Sequence, residues 1–369
     1  MLVELFESKP YIKKIILGVF GVIVLIILIS VLVPLFKSEK LTFSDLEAKM
    51  KQAAINYYET NTELLPQPGG STTISYSELQ NKDLLKAMDK YLENSNGCSG
   101  EVVVTNNNGN YSYTPYLNCG DKYTTIELYK KVLENNEIVI QRDGLYQMND
   151  AKVFRGENID NYVSFAGKTW RILRIETDNS IKLLLDESKI KTTWDNRYNS
   201  EKKYTSGKND YNISRLKEAV DELYNDNTFL SDDDKSKLVA KNLCIGNRSQ
   251  NETNNSGTSE CKTVLENQYI GVISLYEYIN ASIDEKCQNY KNNECQNYNY
   301  LTRHPDNNSW WTITPVAENT YQAYMINSYG TMNISNCSNT STIRPTLYLS
   351  SDVMYSSGTG TSEDPYVVK

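Results

Sequence analysis

A run without charge from Ile15 to Phe36, IILGVFGVIVLIILISVLVPLF, constrains this chain more than any other feature. Its 22 residues, at the helical rise, cover about 33 Å and so reach across the hydrocarbon core of a bilayer. Pro34 falls in the last turn, where lost backbone bonding costs least. Lys9, Lys13 and Lys14 precede the run and Lys37 and Lys40 follow it, a bias that predicts the N-terminus inside and the chain after Phe36 translocated. The run is long for a signal peptide and no small-x-small site follows, so residues 1–14 read as a cytoplasmic tail and 15–36 as an uncleaved signal-anchor. The lipid bilayer is then the first partner the sequence implies.

The cysteines agree with export. Seven are present, and three sequence-local pairs suggest themselves: Cys98 with Cys119, Cys244 with Cys261 and Cys287 with Cys295, although spacing does not fix connectivity. Cys337 is odd, either free or competing with Cys295 for a partner. With one histidine and no CxxC, a zinc site is not expected, and no cofactor is implied. The formal charge of −8 argues against a nucleic-acid binder, which needs a basic face to neutralise phosphates.

The pattern after the span predicts an α+β chain. Ser44 and Glu47 have capping-box spacing, Phe43 is placed to staple the first turn, and Leu46, Met50, Ala53, Ala54 and Tyr57 form a helical stripe. Ser77 and Gln80 suggest a second capped helix before LLKAMDKYLE. EVVVT and YSYTPYL, flanking NNNGN, read as a hairpin whose open end Cys98–Cys119 would clamp. A small membrane-proximal α+β domain therefore occupies about 40–140 and a connector 141–150. A larger α+β domain with an antiparallel sheet occupies 151–369. In it TWRILRI and IKLLLD form a near-continuously apolar central hairpin, helices follow Ser214 and Ser231, Ile245 to Glu260 reads as a mobile polar loop, and Ser274 with Glu277 opens another helix. WWTITP, YQAYMI, TMNIS and IRPTLYL supply late strands.

DGLYQMND, FRGENIDNYVSFAGKTWRILRI, IKLLLDE, TWD, YIGVISLYEYINAS, WWTITP, IRPTLYL and SGTGTSEDPYVV, in that order, resemble membrane-anchored surface proteins of low-GC Gram-positive bacteria. Their main module is a domain of unknown function, similar to this chain from about Asp143 to Lys369. The ordering is also similar to modules with the C-type-lectin-like or formylglycine-generating-enzyme-like fold. That resemblance implies an early Trp hairpin (Trp170, Arg171), two helices, and a late sheet carrying Trp310, Trp311, Pro315, Gly330, Arg344 and Pro345. The lectins' Glu-Pro-Asn calcium arrangement and the Cys-x-x-x-x-Cys of formylglycine-generating chemistry are both missing here. The N-terminal part is loosely similar to pilins, which implies self-association through the N-terminal helix. No prepilin processing site precedes the span.

Groups able to exchange protons are sparse. His304, the only imidazole, sits in LTRHPDN and reads as a loop residue. Asp186 and Glu187 end a strand and are candidates for carboxylate-dependent glycan processing. Asp232, Asp233 and Asp234 follow Ser231 and read as helix N-terminal charge, while Asp306, Asn307 and Asn308 offer oxygen ligands for calcium. One of Trp310 and Trp311 should face outward and, with Tyr321, Tyr324 and Tyr329, make an aromatic platform for sugar rings or a protein partner. Arg344 beside Pro345 reads as a buried structural hydrogen-bonder. The expectation is a non-catalytic binding or adhesion protein on the bacterial cytoplasmic membrane. Its partner would be a cell-envelope glycan or a surface protein; the alternatives are a pilin-like envelope subunit and a carboxylate enzyme.

Overall fold

The expected helical stripe forms α1, Phe43–Thr60, but with a different cap and a shifted face. Thr42 and Asp45, not Ser44 and Glu47, make the capping box. Glu47 is thereby released to the buried side, where it accepts hydrogen bonds from the hydroxyls of Tyr123 (2.9 Å) and Thr125. Phe43 stacks on Tyr123 with ring centroids 4.6 Å apart, and Tyr58 takes the buried place expected of Tyr57. The computed structural model describes residues 40–107, 109–149, 151–287, 291, 293–302 and 308–369. The predicted span 15–36 lies outside them, and among the described residues no helix is long and apolar enough to cross a membrane.

Two units follow, divided between Thr125 and Ile126. The first holds α1, β1 (Ser71–Ser75), α2 (Tyr76–Asn81), α3 (Met88–Tyr91), β2 (Ser99–Asn107) and β3 (Asn110–Asn118). The second cap lies at Ser75 and Glu78, one pair earlier than Ser77 and Gln80, and the left-handed Asp83 (φ 58°) follows α2 and separates it from α3. The hairpin β2–β3 pairs from Ser99↔Asn118 to Asn107↔Asn110, Cys98–Cys119 closes its open end, and β1 adds to β2.

The second unit begins earlier than expected. Its α4 (Leu128–Asn135) buries Leu128 and Val132 in that unit's core, and the segment read as a connector contains β4 (Gly144–Met148), paired with β5 (Ala151–Arg155). Next come β6 (Tyr162–Phe165), β7 (Lys168–Ile175), β8 (Ile181–Leu185), β9 (Lys191–Thr193), α5 (Arg215–Asn225) and α6 (Asp232–Ser236). They are followed by β10 (Lys241–Cys244), β11 (Val264–Gln268), β12 (Ile270–Val272), α7 (Leu275–Asn280), β13 (Trp310–Pro315), β14 (Gln322–Ile326) and β15 (Met332–Asn336). Four short strands end the unit: β16 (Thr340–Thr342), β17 (Pro345–Leu349), β18 (Tyr355–Ser357) and β19 (Tyr366–Val368).

One sheet runs β12-β17-β8-β7-β6-β19-β18 with β4 and β5 attached; a second runs β15-β14-β13-β16-β9; β10 and β11 pair separately. The α+β class and the late strands are as expected. The central hairpin is not apolar on both faces. Cross-strand partners share a face, so the pairs Arg171↔Leu184, Arg174↔Lys182, Thr346↔Leu184 and Tyr348↔Lys182 set Arg171, Arg174, Lys182, Thr346 and Tyr348 on one side. Trp170, Ile172, Ile175, Leu183, Leu185, Leu347 and Leu349 fill the other. Arg171 and Arg174 are three apart and would oppose each other in a regular strand. The register shift between Ile172 and Arg174 inserts Leu173 as a bulge and returns Arg174 to the polar face.

The stretch from Ile245 to Glu260, expected to be mobile, is ordered around a buried ion pair. Arg248 and Glu260 are each nearly inaccessible and meet at 3.2 Å, inside the loop closed by Cys244–Cys261. Backbone bonds from Arg248 N to Pro315 O and from Ala317 N to Arg248 O tie the loop to the end of β13.

Candidate functional site

The polar face of the large sheet has a sealed end and an open end. At the sealed end Asp186 lies 3.6 Å from Arg344 and 3.9 Å from Arg171. The Arg344 guanidinium sits 5.2 Å from the Trp310 ring centre and that of Arg171 3.7 Å from Tyr162, so aromatic faces supplement the single carboxylate. Arg344 also donates from Nε to the Leu185 carbonyl at 3.0 Å. Burying charge is costly unless it is paired, and here two cations lie against aromatic rings and share one anion, Asp186.

At the open end lies a cleft of about 570 Å³, lined by Arg174, Glu176, Lys241, Asn242, Asn255, Ser256, Tyr276, Asn280 and Tyr348, with the Cys244–Cys261 bond in its wall. The sequence builds it through α7. Ser274 caps the helix reciprocally with Glu277, whose Oε2 accepts from the Ser274 amide (3.0 Å) and hydroxyl (2.8 Å), while Oε1 meets Lys182 of β8. At the far end Arg155 donates to the carbonyls of Asn280 (2.8 Å) and Ser282 (2.7 Å), satisfying acceptors that a helix terminus leaves open. Asn280 in turn donates to the Asn255 carbonyl at 2.8 Å and fixes the disulfide loop against the helix. Gly257 of that loop lies on the Tyr276 ring so closely that a Cβ would come within 2.9 Å of three ring carbons, and its φ of +75° suits glycine.

Charges around the cleft are committed in pairs. Arg174 grips Glu176 through two contacts of 2.9 Å, Lys241 meets Asp178, and Lys182 meets Glu277. Burial works against the Glu277 carboxylate, but Lys182, Arg174 and the capping bonds outweigh it and hold its carboxyl below the usual glutamate range. Burial, with Glu277 nearby, pushes the phenols of Tyr276 and Tyr348 up, so both stay protonated donors at neutral pH. The arrangement offers protonated phenols, amides and balanced ion pairs, with the lining carboxylate Glu176 engaged by Arg174.

The expected aromatic platform does not form. Trp310, Trp311 and Tyr324 are buried because β13 lies between β14 and β16 and is covered on both faces. Trp311 donates to the Thr192 carbonyl at 3.1 Å and Trp310 packs on Tyr278. Tyr321 is half-buried with Lys202 over its ring, and Tyr329 is open to solvent. Asp186 is buried while Glu187 is exposed, so these adjacent carboxylates do not converge. Asp234 completes a capping box with Ser231, and Asp233 pairs with Lys237. His304, Asp306 and Asn307 lie outside the described residues, whereas Asn308 is within them. Among the described residues no group of three or more His, Cys, Asp or Glu is placed to hold a metal.

The remaining sequence-selected residues sit in the core. Trp170 donates to the Phe165 carbonyl, Pro315 ends β13, and Pro345 opens β17. Gly330 accepts from the Tyr278 hydroxyl. The three expected disulfides are present, and Cys337 is a buried free thiol raised by burial and by Asp195. Sequence reasoning missed the cleft, for which the available signal was charge inside two apolar runs, Arg171 and Arg174 in β7 and Lys182 in β8.

Residues 179–351 match a domain family of unknown function, DUF6273. The match takes in Lys182, Lys241, Tyr276, Glu277 and Tyr348 and stops short of Arg174 and Glu176, which the same sheet supplies. No curated protein and no solved structure matches this chain.

Proposed function

We propose that this chain is a membrane-anchored recognition protein, held by residues 15–36 with its N-terminus inside, whose second unit binds a polar ligand in the Tyr276–Tyr348 cleft. The uncharged run of bilayer length supports the anchor, and three disulfides support an oxidising location outside the cytoplasm. The observation that carries the binding role is the cleft itself, recessed, polar and braced by a disulfide and by both ends of α7. A C-type-lectin-like organisation belongs to the same reading. Supporting it are the order of Trp170 in an early hairpin, two helices, and the late strands from Trp310 to Pro345.

The test is binding of the full-length chain in mild detergent to a panel of glycans and cell-envelope polymers, alongside Ser256→Trp. Ser256 is exposed and lines the cleft, so the indole fills it without entering the core. Saturable binding abolished by Ser256→Trp is the expected result. Undiminished binding by that variant moves the seat elsewhere, and absence of binding across the panel overturns the recognition role.

A further inference from the structure

We infer that the cleft selects an uncharged, hydroxyl-rich ligand, a neutral sugar, over the anionic polymers that a bacterial envelope also offers; this rests on the cleft being the ligand seat. Three cations stand in or beside it, Arg174, Lys182 and Lys241, and each already faces its own carboxylate, Glu176, Glu277 and Asp178. An anionic ligand gains little from cations so neutralised, and would have to displace Glu176 from a two-point grip or approach the Glu277 charge. A cationic ligand meets the converse obstacle.

Apart from the Arg174 Nε, which lies 2.9 Å from Glu176 as an ion contact without hydrogen-bond geometry, what the cleft leaves unsatisfied is neutral hydrogen-bonding capacity. Among the described residues, the hydroxyls of Tyr276 and Tyr348 are bonded to no other protein group, though Tyr348 is only 7% exposed. The amide nitrogen of Asn242 and the amide oxygen of Asn280 are likewise uncommitted within the protein, since Asn242 accepts from Asn267 and Asn280 donates to Asn255. Phenols and amides both donate and accept, matching sugar hydroxyls, which do the same. The Tyr276 ring, held by Gly257, adds apolar surface for the C–H side of a pyranose.

Binding of the full-length chain to neutral oligosaccharides is compared with binding to poly(glycerol phosphate) and a polyuronate, at low and high salt. Neutral glycans should bind with affinity changed less than about twofold by salt, since no net charge is being screened. Tyr276→Phe should weaken them by about fivefold, the loss of one neutral hydrogen bond, and Ser256→Trp should abolish binding. Anionic polymers binding preferentially, with affinity falling steeply in salt but still blocked by Ser256→Trp, would leave the cleft as the seat and overturn its neutral preference. Tyr276→Phe binding neutral glycans as tightly as the native chain also overturns the inference. If no ligand of either class binds, both this inference and the recognition role fall.

Discussion

Replacing Lys182 by Met tests the frame that holds the cleft. The Lys182 and Glu277 side chains are 6% and 8% exposed, so removing the ammonium leaves a carboxylate in a nearly closed site. Breaking one partner of a buried pair costs about 3 to 5 kcal/mol. Arg174 remains close enough to lower the Glu277 carboxyl, which places the expectation near the lower bound, about 3 kcal/mol. Urea unfolding followed by tryptophan fluorescence suits the measurement, because all four tryptophans, at 170, 194, 310 and 311, lie in the second unit. With an m-value of about 3 kcal/mol/M the midpoint should fall by about 1 M. The pH dependence has a definite sign. The folded Glu277 carboxyl lies below its ordinary 4.5, so in the native chain its contribution is present above that value and lost as pH falls through the folded one. In Lys182→Met the carboxyl protonates at higher pH, and the gap between the two proteins narrows on acidification. Glu277→Gln added to Lys182→Met removes the stranded charge and should recover most of the loss. A single variant within about 0.5 kcal/mol of native, or a gap that widens in acid, would refute a buried, mutually dependent pair.

Trp310→Ala and Trp311→Ala should each destabilise the second unit by about 3 to 5 kcal/mol, measured by the same unfolding; a fully stable variant that loses ligand binding alone would restore the surface platform. Gly330→Ala should cost more than Gly167→Ala, since both positions have positive φ (+81° and +66°) but only at Gly330 does a Cβ meet Thr302, at 2.6 Å. The shared backbone term is about 1 kcal/mol, and the difference between their melting temperatures reports the clash. Cys337 should resist a thiol reagent in the folded chain and react after denaturation, because it is buried and burial raises its thiol. Fast labelling in native buffer would contradict that burial.

What could be read from the sequence divides along physical lines. Local, strongly patterned features were legible: the Asn-rich turn between two alternating strands, the three short-range disulfides, the Ser274–Glu277 cap and the existence of the late strands. Caps were ambiguous where Ser and Thr crowd together, and Thr42 won over Ser44 because Glu47 has a better use against Tyr123 and Thr125. The unit boundary moved because α4 is amphipathic and buries Leu128 and Val132, which outweighs the polar look of the residues after it. Ile245 to Glu260 has the composition of a mobile loop, yet one arginine is enough to order it once Glu260 and several carbonyls converge on the guanidinium. Nothing in local composition reveals such a convergence.

The candidate site was the least legible part because it depends on register. A charge within an apolar strand reads equally as an edge, an error in strand assignment or a bulge, and only the paired partner decides. Here the extra residue Leu173 turns two arginines that would oppose each other into neighbours on one face, opposite Lys182 and Leu184. Once that face is polar it needs anions and rings to cover it, which Asp186, Glu277, Tyr300 and Trp310 provide. This requirement explains why Trp310 is buried: its ring lies beside Arg344, where an exposed platform would leave the guanidinium uncovered.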